Sequence, residues 1–230
     1  VAIDTGSVAP PSPPPGGGDG GDGAEASTDE APLPWTGWKV AVVVVVALVV
    51  GGLAGAVLGD RLGTPAADSV DVGFLQDMRS HHQQAVEIAN LAAVAAGDPT
   101  VRDFAREVLV FQQYEVGYME GLLEEWGHFP VDPTREAMVW MGMPTPVEQM
   151  PGMQPTERID RLAASTGAEA DALFLQMMTE HHRGGVHMAS DAAQRAGDPR
   201  VRDLAERMAR AQRAEIAEYR MLADRLGVEL

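Results

Sequence analysis

Hydrophobic positions fall into three regimes along the chain. Residues 1–34 carry almost none, and the stretch "APPSPPPGGGDGGDGAEASTDEAP" is proline, glycine, alanine and acid. Such a segment cannot bury enough apolar surface to offset its ordering entropy, so disorder is expected. From Val40 to Gly59 the pattern becomes continuous, "VAVVVVVALVVGGLAGAVLG", twenty residues without a charge. A run of that length matches the hydrocarbon thickness of a bilayer. Trp35, Trp38 and Lys39 precede it as an interfacial belt would. Residues 35–63 therefore read as an uncleaved membrane anchor with its flanks. A cleaved signal peptide fits less well, because the leading tail is long and acidic and the apolar run exceeds an ordinary h-region. A buried strand or core helix fits less still. Lys39 on one side, and Asp60 with Arg61 on the other, leave the positive-inside rule almost silent about orientation.

Over residues 64–230 the pattern turns helical and repeats. "FLQDMRSHHQQAVEIANLAAVAAGDPTVRDFA" from Phe74 aligns without a gap to "FLQMMTEHHRGGVHMASDAAQRAGDPRVRDLA" from Phe174. The match continues through Gln112/Gln212, Glu115/Glu215, Leu122/Leu222 and Gly127/Gly227. A repeat at fixed offset decides architecture before any local reading. Gly97 and Gly197 suit a left-handed helix end, Asp98 and Asp198 suit N-caps, and Pro99 and Pro199 suit the first helical position. These signals predict helices from about Ser69 to Ala96 and from Pro99 to Trp126. They predict a third helix opened by the capping box Thr166-x-x-Glu169 and a fourth from Pro199 to Leu226. Two antiparallel hairpins make an all-α four-helix bundle. The connection, residues 128–165, is long for a bundle. Only its end, from Thr156, has a helical pattern, and it carries Met138, Met141, Met143, Met150 and Met153.

Helical spacing places Leu175, Met178, His182, Val186 and Ala189 on one seam, and Leu75, Met78, His82, Val86 and Ala89 on its copy. The adjacent His81 and His181 lie about 100° round the helix. His181 shares its face with Met177 and Met188, and His187 sits on a flank seven residues after Glu180. Two adjacent histidines cannot both sit centrally in one apolar seam, so one of each pair serves another purpose. Each pair alone reads first as hydrogen-bonded core histidine, with the methionines as packing. Duplication of Met-x-x-His-His beneath a methionine-rich connection shifts the balance toward a metal site.

Composition narrows the chemistry. The chain has 230 residues and no cysteine, which excludes disulfides, thiolate ligands and cysteine nucleophiles. Soft-metal binding must therefore use thioether and imidazole, a set suited to copper and especially Cu(I). The net charge of −17, without a basic stripe, argues against nucleic acid as a partner. Gln112 and Glu115, with Gln212 and Glu215, lie either on a solvated face or behind the histidines. In the second case a carboxylate would fix the tautomer of a ligating ring. A di-iron site needs two Glu-x-x-His motifs, and the chain offers one, Glu125-x-x-His128, with no counterpart in the second repeat. No zinc-protease motif, P-loop or nucleophile elbow is present. No enzymatic activity is expected, and an oxidase would rest on fold analogy alone.

Five segments carry a family resemblance: "FLQDMRSHHQQAVEIA", "FLQMMTEHHRGGVHMA", "GMPTPVEQMPGM", "STGAEADALFLQMM" and "AQRAEIAEYRML". Together they resemble the bacterial domain of unknown function 305 over about residues 70–228. The resemblance implies a ferritin-like helical fold behind a signal sequence or membrane anchor. It also implies copper binding, as in some periplasmic members. Transferred by position, it points to His81, His82, His181 and His182, to Met78, Met178 and Met188, and to the loop residues Met141, Met143, Met150 and Met153. Ile88 and Tyr219 stand where the family often has methionine, which makes the first copy poorer in thioether. The resulting expectation is a single-pass protein of the bacterial cell membrane with its bundle outside the cytoplasm. It would sequester or hand over copper, or silver as a mimic, and pair with a second copy or an envelope protein. The rival expectation is a metal-free structural module of the envelope.

Overall fold

The computed structural model describes residues 37–61 and 63–230, side chains excepted over 56–61, so the 1–34 tail lies outside the described residues. The chain divides into two units at Gly59/Asp60. The first contains all but the last two residues of α1, Gly37–Arg61. Its Gly37–Gly55 stretch is long and apolar enough to cross a membrane, and the valines and leucines there are exposed rather than packed in a core.

The second unit is the helical bundle. Helices α2 (Val70–Ala95) and α3 (Pro99–Glu125) form one hairpin; α5 (Ala168–Arg195) and α6 (Pro199–Leu226) form the other, and a short α4 (Thr156–Ala164) precedes α5. Ser69 opens α2 by accepting from Val72 N, while Asp98 and Asp198 accept from Thr100 N and Arg200 N. With Pro99 and Pro199 in the first turn, these caps satisfy amides that a helix start leaves bare.

Two expected terminal motifs are not formed. Gly97 and Gly197 are absent from the positive-φ glycines, which among the described residues are Gly127, Gly142, Gly152, Gly167 and Gly227. Helices α2 and α5 end instead at Ala96 and Ala196 in extended backbone, at φ −62°, ψ 142° and φ −60°, ψ 140°. The next amides are satisfied from the opposite hairpin. Asp171 of α5 accepts from Gly97 N and Asp98 N at 2.8 and 3.1 Å. Asp71 of α2 accepts from Gly197 N and Asp198 N at 2.9 and 2.8 Å. A tertiary carboxylate thus replaces the local left-handed cap. The Thr166 capping box also fails, because Gly167 is the N-cap of α5 and no side chain caps that end. Gly167 N donates to Ala95 O at 2.9 Å, which ties the start of α5 to the end of α2, and Glu169 accepts from Arg161 instead.

The connection is more structured than its composition suggests. Glu136–Ala137 (β1) pairs antiparallel with Thr145–Pro146 (β2), and single 3₁₀ turns occupy Val139–Met141 and Val147–Gln149. It is fastened to α2 through buried Asp77, which accepts from Arg135 Nη2, Met138 N and Trp140 Nε1, each at 2.7 Å. Burial pushes the Asp77 carboxyl up, and these donors counteract the push.

Helices α2 and α5 pack directly on one another, and α3 and α6 flank them. The flanking helices meet through side chains at both ends: Arg200 with Glu125 at one, Arg225 with Asp98 and Phe104 with Tyr219 at the other. The apolar core is split in two. One half joins Phe74, Leu75 and Met78 to Met119, Leu123, Met188 and Met208. The other joins Ile88 and Val108 to Phe174, Leu175, Met177, Met178 and Tyr219. Each fully buried Leu, Phe or Met contributes about 2 kcal/mol through area removed from water. Between the halves, at mid-height on every long helix, lies a polar layer.

Candidate metal centre

The polar layer is built by the repeat. His81 and His82 come from α2 and His181 and His182 from α5, all with no solvent exposure, and Gln112 and Gln212 lie beside them, buried on α3 and α6. Both members of each histidine pair are buried because α2 and α5 each bury two faces. One face meets the helix's own hairpin mate and the other meets the opposite hairpin. His82 and His182 turn to their mates: His82 Nε2 lies 2.8 Å from Glu115 Oε2 in a hydrogen bond. His182 Nε2 lies 2.6 Å from Glu215 Oε2, at an angle outside hydrogen-bond geometry. His81 and His181 turn to each other across the α2–α5 contact, their ring centroids 3.7 Å apart.

The connection roofs this layer. His81 Nε2 lies 3.1 Å from Pro151 O. Gln84 donates from Nε2 to Gln154 O at 2.9 Å and accepts from Gln154 N at 2.7 Å. Gly152 (φ +86°) lies so close to α5 that a Cβ there would come within 2.7 Å of His181 O. A Cβ on Gly184 would come within 1.8 Å of Pro151 O, so backbone passes over backbone. No side chain larger than hydrogen fits at this crossing.

Burial strips water from these rings and leaves much of their bonding capacity unused. Nδ1 of all four histidines and Nε2 of His181 and His182 have no hydrogen-bond partner, though His182 Nε2 has the Glu215 carboxylate close by. Burial pushes His81 down to about 3, helped by neighbouring His82, and holds His181 well below the ordinary histidine value, helped by His81. The facing pair is therefore neutral at physiological pH and presents lone pairs rather than charges. An unpaired buried polar atom costs about 1–3 kcal/mol, so this arrangement favours anything that can accept those lone pairs.

Among the described residues no three His, Cys, Asp or Glu side chains converge closely enough to hold an ion. The donor set still fits a soft cation if thioethers complete it. Met78, Met177, Met178 and Met188 are fully buried, Met78 and Met188 in one half-core and Met177 and Met178 in the other. The connection's methionines mostly serve packing. Met138 and Met150 are buried, Met141 and Met153 pack against the same half-core, and Met143 is exposed. His187 is exposed and stands apart from the layer. Glu125 binds Arg200, and His128 Nε2 faces Pro65 O at 2.9 Å, so the lone Glu-x-x-His motif is spent elsewhere.

Sequence reading missed Gln84, Pro151 and Gly184, and took Tyr219 only as a replaced methionine, whereas its ring centroid lies 5.6 Å from that of His182. A signal did exist for two of them: position 84 is Gln in the first repeat and position 184 is Gly in the second.

Comparison with known proteins matches residues 71–223 to the model of the domain of unknown function DUF305. A search of curated proteins finds no match. Among solved structures, a DUF305 protein described as secreted, from Streptomyces coelicolor, is 38% identical at a TM-score of 0.65, covering 71% of this chain and 98% of that one. A DUF305 fragment from Deinococcus radiodurans is 28% identical at a TM-score of 0.59, covering 68% and 96%. CopM in its Cu(I)-bound form is 25% identical at a TM-score of 0.55, covering 67% and 96%, and its Cu(II)-bound form matches to the same extent in identity and TM-score. With two-thirds of its length in one family match and 38% identity to a solved DUF305 protein that it covers almost completely, the chain belongs to the DUF305 family.

Proposed function

We propose that the bundle binds copper, with silver as a mimic, within the His–Met layer, and serves sequestration or handover rather than turnover. The observation that carries this reading is His181, a neutral, fully buried imidazole whose two ring nitrogens both lack a partner. A dry pocket keeps such a group only where something repays its desolvation. The ligands would be His81, His82, His181 and His182 with buried thioethers, and Glu115 and Glu215 would orient the outer rings. CopM, solved with Cu(I) and with Cu(II), supports the choice of metal. The apolar Gly37–Gly55 helix supports a membrane-anchored setting, and the Streptomyces relative's description as a secreted protein supports an extracytoplasmic one.

The rival is a metal-free envelope module, favoured by the lack of three convergent polar ligands among the described residues. Titration of the full-length protein in detergent with Cu(I), against a chromophoric chelator, separates the two. Replacing His81 and His181 together by leucine keeps the volume and removes the unpaired nitrogens. On the metal reading Cu(I) affinity falls at least about a hundredfold, and saturating metal raises the wild-type melting temperature. Equal affinity in the variant, or an unmoved wild-type melting temperature, would overturn it.

A further inference from the structure

The histidine layer has no open mouth: its four rings are fully buried, and the cover on one side is the strap Met150–Gln154. The strap's fastening is unequal along its length. Met150 is sunk in the apolar core and acts as a fixed end. Beyond it, Pro151 and Gly152 touch α5 by backbone alone, through the two glycine crossings, with no hydrogen bond to that helix. The free end is held by polar bonds: the reciprocal pair between Gln84 and Gln154, and Glu180, which accepts from Gln154 Nε2 at 3.3 Å and from Arg158 Nη1 at 2.5 Å. Apolar packing fixes one end at Met150 and, more weakly, holds half-buried Met153; backbone contacts span Pro151 and Gly152, and exchangeable hydrogen bonds close the other end.

We infer that the strap Pro151–Gln154 is the gate through which an ion reaches His81 and His181, with Gln84 as its latch. This rests on the proposed metal-binding reading. The repeat argues for a dedicated latch. Position 184, equivalent to Gln84, is the glycine over which the strap passes, so one copy holds the strap and the other makes room for it. Lifting the strap breaks the Gln84–Gln154 bonds and the Pro151 contact, frees half-buried Met153 from the edge of one half-core, and exposes His81 while the fully buried core residues stay in place. Because the same barrier faces an ion entering or leaving, the latch controls both rates and leaves the equilibrium nearly unchanged.

The test uses full-length protein in detergent, with Cu(I) delivered from and returned to a chromophoric chelator in stopped flow. Gln84→Ala removes both latch bonds, and loading and release should each accelerate about tenfold, the scale of one to two net hydrogen bonds. Affinity should change less than about threefold, since each 1.4 kcal/mol is tenfold and the ligands are untouched. Arg158→Gln, at the outer edge of the strap, should accelerate both rates by a smaller factor without touching the core. A readout that needs no metal is amide exchange at Met153 and Gln154, which should quicken in Gln84→Ala while the α2 and α5 amides stay protected. Faster exchange with unchanged loading and release would overturn the gate and leave metal binding standing. Loss of affinity without acceleration would make Gln84 part of the binding site rather than its latch, and would also overturn the gate. No Cu(I) uptake by the wild type would overturn the metal reading, and the gate with it.

Discussion

The two hairpins share a sequence pattern but divide the labour, and the residues that break the repeat show how. Where α5 has Leu173 and Met177, both in its apolar half-core, α2 has Gly73 and Asp77. Gly73 gives the Trp140 ring room to lie against the helix, since a Cβ there would come within 2.5 Å of it. Asp77 holds the loop that carries that tryptophan. Where α2 has Gln84 and Ala85, α5 has Gly184 and Gly185, the second pressed so close to Gln212 that a Cβ would meet its Oε1 at 2.2 Å. The first hairpin is thus a mount for the connection, and the second is a surface over which the connection and Gln212 pass. The positions that do not differ, His-His, Gln and Glu, build the layer between the half-cores. Divergence marks the mounting of the connection and two of the candidate thioethers, Met177 and Met188, while the polar residues of the candidate site are the same in both repeats.

The largest expected effect tests what the hairpins share. His81 and His181 are held neutral below their unfolded value near 6.5, so the unfolded chain binds the extra protons and stability falls as pH drops through 6.5 toward about 3. In metal-free protein the pair should cost on the order of 4 kcal/mol between pH 7 and pH 5, at up to about 1.4 kcal/mol per pH unit for each ring. Denaturant unfolding of His181→Leu against wild type should recover roughly half of that slope. A variant with the wild-type slope would mean the rings are solvated.

Next comes the exchange of repeat-breaking residues. Gly184→Gln installs the first hairpin's residue under the strap and should cost about 3 kcal/mol by overpacking. The reverse change, Gln84→Gly, should cost about 1–2 kcal/mol from lost bonds and helix propensity. Equal costs would erase the division into mount and crossing. Asp77→Asn puts an amide among three donors and should cost about 2 kcal/mol, because a buried carboxylate accepting hydrogen bonds is exchanged for a half-mismatched group. Met177→Leu, at the equivalent site, should cost less than about 1.5 kcal/mol. The smallest effect returns to the shared layer. Glu115→Gln and Glu215→Gln, both partly solvated, should each cost about 1 kcal/mol or less, and by similar amounts. A disparity above that scale would mean the two outer histidines are not equivalent.

Much of the fold was legible because repeat, cap and proline signals are local and were present twice. The errors came where a distant group outcompeted a local motif. The Gly-Asp-Pro turns call for a left-handed glycine, but Asp71 and Asp171 reach across to satisfy those amides, and the glycines no longer need that conformation. Thr166 looks like a cap, but pairing of Gly167 with the end of α2 sets where α5 begins. At the candidate site, helix periodicity separated His81 from His82 correctly and assigned them to different faces. It could not reveal that the second face is the α2–α5 contact, because periodicity within one helix carries no information about how many neighbours it has. The strap was illegible for a related reason: its path depends on backbone contacts at two glycines that no pattern of apolar residues records.

The crossed aspartates carry a consequence for assembly. Asp71 completes the turn of the second hairpin and Asp171 completes that of the first, so each half supplies the piece the other lacks. A lone hairpin would leave two amides bare at its bend, and a pair of identical hairpins would satisfy all of them under two-fold symmetry. The molecule is thus a tethered version of a symmetric dimer, in which the 128–165 connection supplies the proximity that concentration would otherwise have to provide.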